Sequence, residues 1–213
     1  VPSRARTPRS ERGAWRKTEI VEAAAHCFME RGYHATGIDD VARRLGCTKG
    51  RIYHHYASKT DLFFAVHREG MARLFAAQEA ILPLPDDTLE GLAAMLHAHA
   101  RAMLEHHTYE TVVAQGVQVH RFEATTPDQR ETMAALIAER DRFEALFTDR
   151  LRLGIAQGEI RESDVPVTVK ILLGALQWSI IWYRPRPDDD AARRTDLAAR
   201  MVAPLVEGLR PPV

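Results

Sequence analysis

The richest set of chemically capable side chains at fixed spacing is Lys49, Arg51, Tyr53, His54 and His55, inside the run TKGRIYHHYASK from Thr48 to Lys59. In a helix, Ile52 and Tyr56 fall at i and i+4 and form a buried side, so the cations and hydrogen-bonding rings occupy the remaining faces. Such a face attracts and hydrogen-bonds an anion, and it holds no nucleophile beside a base with which to break a bond. The preceding run makes another short helix. Thr36 begins it with Asp39 three residues on, Asp39 and Asp40 suit its first turn, and Ile38, Val41, Ala42 and Leu45 form its inner side. Gly46 can adopt the positive φ of a sharp turn, and Thr48 is a natural N-cap for the second helix. Two short helices at an angle, the second lacking another apolar face, suit a helix-turn-helix whose second helix enters the DNA major groove.

So small a reader must be held by other helices. Ile20, Ala24, Cys27 and Phe28 place one apolar stripe on a helix from Ala14 to about Arg31, which Gly32 stops. Ser58 caps a further helix reaching about Ala80, with Leu62, Phe63, Val66, Leu74 and Phe75 inward. Beyond Asp86, amphipathic or apolar helices occupy about 87–107, 109–122, 128–157, 164–183 and 188–209, with no strand-like alternation. The expected fold is all-α with about nine helices: a disordered basic arm over 1–13, a helix-turn-helix domain over 14–60, and an effector-binding and dimerisation domain over 61–213.

The formal net charge is zero, but its distribution is uneven. Residues 1–59 carry twelve Lys or Arg against six acids, and the remainder carries 17 bases against 23 acids. One basic end on an otherwise acidic chain is the asymmetry of a protein that meets phosphate at that end. The two cysteines, Cys27 and Cys47, are too few for a disulfide framework and read as small packing residues. The apolar run VPVTVKILLGALQWSIIWY is interrupted by Lys170 and Gln177, and the N-terminus has basic residues with no apolar segment behind them. The expectation is a cytoplasmic protein without a membrane span.

The stretch from Ile20 to Phe64, an Ala-rich helix with Phe28 followed by RGYHATGIDDVARRLGCTKGRIYHHYASKTDL, resembles the TetR/AcrR family of bacterial transcription regulators. It follows the family's G-Y-x-x-T, G-V-S-K-G-x-L-Y-x-H-F and S-K-x-x-L pattern, with Cys47, Ile52 and Tyr56 at positions where Val, Leu and Phe are common. The resemblance implies a ligand-responsive regulator, and it places Lys49, Gly50, Arg51, Tyr53, His54 and His55 at the DNA surface with Thr36, Arg44, Thr48 and Lys59 around them. In those positions Thr36, Thr48 and Lys59 would meet phosphate at helix N-termini, and Arg51 is the candidate for bidentate contact with guanine. His55 serves either DNA or packing against Tyr56. A local run, QWSIIWYRP from Gln177 to Pro185 after GEIRESDV from Gly158 to Val165, is similar to repressors of fatty-acid and steroid breakdown, whose effectors are often acyl-CoA thioesters.

A two-turn recognition helix reads few base pairs, so a homodimer on a pseudo-palindromic operator is expected. Leu172, Leu176, Ile180, Val202, Leu205 and Leu209 recur at helical spacing and are expected to form the interface. The effector pocket is expected among the helices from Asp87 to Tyr183, lined by Met103, Phe122, Phe143, Phe147, Trp178 and Trp182. Arg184 beside that stripe either pairs with an effector phosphate or carboxylate or caps its own helix. The partners are thus operator DNA, a hydrophobic small molecule and a second copy; no cofactor and no enzymatic activity are expected. A multidrug or aromatic-compound sensor of the same family is the first alternative. A metal-dependent enzyme built on the histidines from His97 to His120 is the second, though His97 and His99 at i, i+2 point apart.

Overall fold

The computed structural model describes residues 17–122, 126–186 and 188–212, and side chains throughout those ranges except at 117–122. The basic arm expected over 1–13 and the side chain of Phe122 lie outside the described residues. Among the described residues the chain is helical without strands: α1 (Lys17–Ala35), α2 (Ile38–Leu45), α3 (Lys49–Tyr53), α4 (Lys59–Glu79), α5 (Thr88–Glu105), α6 (His107–Phe122), α7 (Pro127–Gln157), α8 (Val165–Gln177), α9 (Ser179–Trp182) and α10 (Ala191–Glu207). The short α9 continues α8 past a turn at Trp178, and with the pair taken as one helix the all-α, nine-helix expectation holds.

Gly32 breaks α1 at φ 76°, ψ 167°, and the chain makes one further turn to Ala35. That detour changes the start of α2. Gly37, not Thr36, is the N-cap, and Asp40 rather than Asp39 closes the box by accepting from Gly37 N at 2.9 Å. Thr36 lies buried beneath the junction, its hydroxyl directed at the carbonyls of Cys27 (3.0 Å) and Gly32 (2.8 Å). At the other end of α2, Gly46 at φ 65° returns Cys47 N to Ala42 O at 2.9 Å, which sets the tight turn into α3.

Two apolar clusters organise the helices. The first joins α1, α2 and α3 to the first half of α4 around Phe28, Tyr33, Ile52 and Phe63, with Phe63 edge-on to Phe28 and Tyr33 at 5.2 and 5.0 Å. The second gathers Leu92, Leu96, Met103, Phe147, Leu151 and Leu172 from α5, α7 and α8, with Val202 of α10. Helices α4 and α6 serve both: Tyr109 and Val112 of α6 belong to the first cluster and Val113 to the second. Their approach depends on two glycines. A β-carbon on Gly70 would lie 2.5 Å from Val113 Cγ2, and one on Gly116 would lie 2.6 Å from the His67 ring.

The expected interface residues take other positions. Leu172, Leu176, Val202 and Leu209 are buried in the second cluster, with Ile180 and Leu205 packed against it. Helix α8 is apolar on more than one face, so its periodicity alone cannot say which stripe is inward. The outward stripe is Val167, Ile171 and Trp178, continued by Ile181 and Trp182 of α9. The window Val165–Trp182 reaches a mean hydropathy of 1.5, enough by length and composition to cross a membrane, yet Val169, Leu172 and Leu176 on it are packed inside the bundle.

Burial controls several titrations. His67 and His99 are held neutral down to about 4, chiefly by desolvation, with Arg140 and Arg68 adding to the effect at His67. Burial also lowers His106 and His107, and it raises Glu110 well above the usual carboxylate range against an opposing influence from Arg73. Between pH 4 and 6.5 the unfolded chain protonates histidines that the folded chain keeps neutral, so His67 and His99 each make stability rise with pH, by ~1.4 kcal/mol per pH unit. Glu110 acts oppositely, because the folded chain keeps a proton that the unfolded chain loses above 4.5. Stability should therefore climb towards pH 6.5, where the histidines outnumber the acid, and then decline gently. Urea midpoints across about pH 5 to 8 test this. Glu110→Gln should remove the decline on the alkaline side, and an unchanged decline in that variant would refute the assignment.

Candidate functional site

Helix α3 is only one turn and a half long, and it is fixed from beneath by Ile52, which is fully buried. Its other residues face outward. Thr48, at the N-cap position, has no side-chain cap bond, Tyr53 is 48% exposed, and His54 meets His55 edge-on at 5.2 Å with His55 half-buried. Lys49 is exposed and 3.5 Å from Asp39 of α2. Gly50 has open space where a β-carbon would stand, so the helix surface is lowest at this point and another molecule can approach its backbone. Arg51 is half-exposed on the same helix.

The residues expected around this face are less uniform. Thr36 is buried with its hydroxyl engaged and cannot meet phosphate. Lys59 donates to Tyr33 O at 3.0 Å and stands over the Tyr33 ring at 4.2 Å, so its ammonium closes the end of α1. Arg44 forms a two-pronged pair with Glu30 at 2.7 and 2.9 Å, locking α2 to α1; the pairing raises the guanidinium's hold on its proton and lowers Glu30. Asp40 similarly binds Arg31 and Arg43 at 2.8 and 2.9 Å, and its carboxyl is held low first by the Gly37 N–H. These brackets fix the angle between α1 and α2. The two that cross from α2 to α1, Arg31–Asp40 and Arg44–Glu30, pair residues nine and fourteen apart in sequence, beyond any helical periodicity, whereas Arg43–Asp40 lies within α2.

Above the reader, a cavity of about 250 Å³ opens between α4, α5, α6, α7 and α8. Met71, Leu74, Met103, Val113 and Phe143 give it apolar walls, Arg140, Glu144 and Lys170 stand among its lining residues, and His99 and Glu110 contribute buried polar groups. Lys170 is paired with Glu144 at 2.8 Å. Of the residues expected to line a pocket, Met103 and Phe143 do so. Phe147 is buried behind, against His99, while Trp178 and Trp182 are outside the cavity at 63% and 47% exposure. Arg184 donates to the carbonyls of Ile181 and Tyr183, ending its own helix. Three histidines of the α5–α6 region are separately engaged, His99 against Phe143 and Phe147, His106 with Arg73, and His107 with Ile180 O and Tyr183, while the side chain of His120 lies outside the described residues. A larger groove of about 400 Å³ by Phe75, Leu82, Leu146 and Leu153 contains no comparable buried polar pair and does not touch α6.

Helix α6 links cavity and reader. Glu110 and Val113 line the cavity, and Gln115 Nε2 donates to Phe28 O of α1 at 3.2 Å. Gln129 at the start of α7 donates to Ser58 Oγ, the cap of α4, at 3.2 Å.

Comparison with known proteins matches residues 20–66 to the model of bacterial regulatory proteins of the tetR family, and residues 85–208 to the tetracyclin repressor-like C-terminal domain. The chain belongs to the TetR family. A TetR-family chain is a DNA-binding transcription regulator, not an enzyme. It is similar to the HTH-type transcriptional repressor KstR2 of Mycobacterium tuberculosis, at 30% identity over 177 residues, covering 80% of this chain and 82% of the relative. Among solved structures it is similar to the TetR-family regulator PfmR of Thermus thermophilus, at 31% identity and a TM-score of 0.75, covering 93% of this chain and all of that one. It is also similar to AibR in complex with isovaleryl coenzyme A and operator DNA, at 25% identity and a TM-score of 0.71, with 93% and 100% coverage.

For this TetR-family reader, duplexes selected from a random pool should show Arg51→Ala losing base discrimination and Tyr53→Phe weakening all sequences alike. Lys49→Ala should reduce the slope of log affinity against log salt by about one. Lys59→Ala should instead lower thermal stability, because its ammonium is bound by Tyr33 O and the Tyr33 ring. An unchanged ranking of sequence variants with Arg51→Ala would overturn its assignment as a base reader.

Proposed function

We propose that this chain is a dimeric repressor, working in the cytoplasm beside the chromosome, whose α3 helices read a pseudo-palindromic operator. A small apolar effector, of which an acyl-CoA thioester is the favoured class, releases it. The observation that carries this reading is the double engagement of α6, which lines the cavity through Glu110 and Val113 and bonds the reader through Gln115. A ligand that wedges α6 and favours one setting of the reader over another shifts operator affinity by its differential binding alone. The repressor relative and the relative crystallised with isovaleryl coenzyme A and operator DNA support this direction.

The outward stripe of Val167, Ile171, Trp178, Ile181 and Trp182 is the proposed dimer face. Five large apolar side chains exposed on one side of α8 and α9 are the signature of a surface that another protein surface covers. Arg140 and Lys170 beside the cavity would receive the negative charge of a thioester's phosphates, with the acyl group inside.

Fluorescence anisotropy of the selected operator duplex tests the reading. Isovaleryl-CoA and cyclohexanecarbonyl-CoA should each weaken operator binding at least tenfold, and free coenzyme A should not. Release by planar cations alone, with no effect of any thioester, would contradict it in favour of a multidrug-type sensor.

A further inference from the structure

The cavity's polar groups are not arranged for a purely hydrocarbon guest. Glu110 is 1% exposed and His99 is 5% exposed, and both line the same cavity from adjacent helices, α6 and α5. Glu110 Oε1 and His99 Nδ1 are both without a hydrogen-bond partner. Buried polar atoms are nearly always paired, because one left unpaired has given up its water and received nothing in exchange. Two in one cavity, among Met71, Met103 and Phe143, are a cost that a guest with the right polar atom removes.

The charge state of the pair narrows the guest. Arg73 is the cation influencing Glu110, and it is already engaged by Glu69, by His106 and by the Tyr109 ring. Burial therefore keeps Glu110 as the neutral acid, a donor as well as an acceptor, and keeps His99 a neutral imidazole with one donor and one acceptor nitrogen. A guest carboxylate or ammonium against Glu110 and His99 would meet two neutral groups and would bear much of its desolvation cost, since Arg140 and Lys170 stand on the exposed side of the lining. A volume of about 250 Å³, just under the range of drug-sized pockets, suits a single ring or short branched chain better than a long acyl tail.

We propose that the effector presents a neutral oxygen, a hydroxyl or a ring ketone, to the buried part of this cavity, where Glu110 and His99 receive it. The inference rests on the reading of this cavity as the effector site. A ketone oxygen accepts from the Glu110 acid. A hydroxyl can both accept from Glu110 and donate to an imidazole nitrogen of His99. Charged parts of the effector stay outside, with Arg140 and Lys170.

The test uses the full-length protein labelled with ¹³C at its methionine methyls, of which Met71 and Met103 line the cavity. The probes are cyclohexanol, cyclohexanone and methylcyclohexane. All should shift the Met71 and Met103 signals. With Glu110→Leu, cyclohexanol and cyclohexanone should weaken at least tenfold while methylcyclohexane tightens, and His99→Phe should weaken cyclohexanol in the same sense. Glu110→Gln, which keeps a donor and an acceptor, should retain most of the cyclohexanol affinity. Removing an unpaired buried acid should also raise the melting temperature of the ligand-free Glu110→Leu protein, whereas a structural role for Glu110 would lower it. If alcohol and hydrocarbon respond alike to Glu110→Leu, the polar selection is wrong. If none of the probes shifts Met71 or Met103, the cavity does not admit a ring and the inference falls with it. Operator release by thioesters is measured separately, so a failure of the effector reading and a failure of this inference give different results.

Discussion

The close crossing of α4 and α6 is the constraint on which the rest of the molecule depends. Gly70 on one helix accommodates Val113 of the other, and Gly116 in turn accommodates the His67 ring. Two reciprocal notches let the helices approach without intervening side chains, and close-packed interfaces of this kind move between discrete arrangements instead of yielding gradually. Because α4 is a single helix with one part in each apolar cluster, and α6 contributes to both, the crossing lies where the reader side and the cavity side meet.

The reader itself is small and rigidly braced. Its internal ion pairs, Arg44 with Glu30 and Arg31 and Arg43 with Asp40, are partly exposed, and exposed pairs contribute little stability. Their value is geometric: Arg44–Glu30 and Arg31–Asp40 hold α1 and α2 at one angle while α3 stays short and open. Binding specificity is thereby separated from fold stability. The aromatic cluster of Phe28, Tyr33 and Phe63 holds the domain together, and the outward residues of α3 take no part in that core.

Much of this is legible in the chain. The turn at Gly46, the inward Ile52 and the outward Lys49, Tyr53 and His54 follow from local spacing, because helix periodicity and positive-φ glycine are local rules. Thr36 and Lys59 illustrate where such rules end. Each stands where a helix start suggests phosphate contact, yet Thr36 is captured by carbonyls of α1 and Lys59 by Tyr33, partners four to 26 residues away. Similarly, α8 is apolar on two faces, so nothing local separates Leu172, which is buried, from Ile171, which is exposed. The aromatic residues Trp178 and Trp182 suggest a pocket by type and belong to the outer stripe by geometry. Glu110, which lines the same cavity as His99, carries no motif that would announce it.

The most direct test of the central claim is the operator affinity of Gly116→Ala, a variant that adds one methyl group at the α4–α6 crossing and touches neither α3 nor the cavity lining. If the crossing sets the reader, this variant should retain native helical content and dimerisation while binding the selected operator at least tenfold more weakly. Native operator affinity in a folded Gly116→Ala dimer would contradict the account.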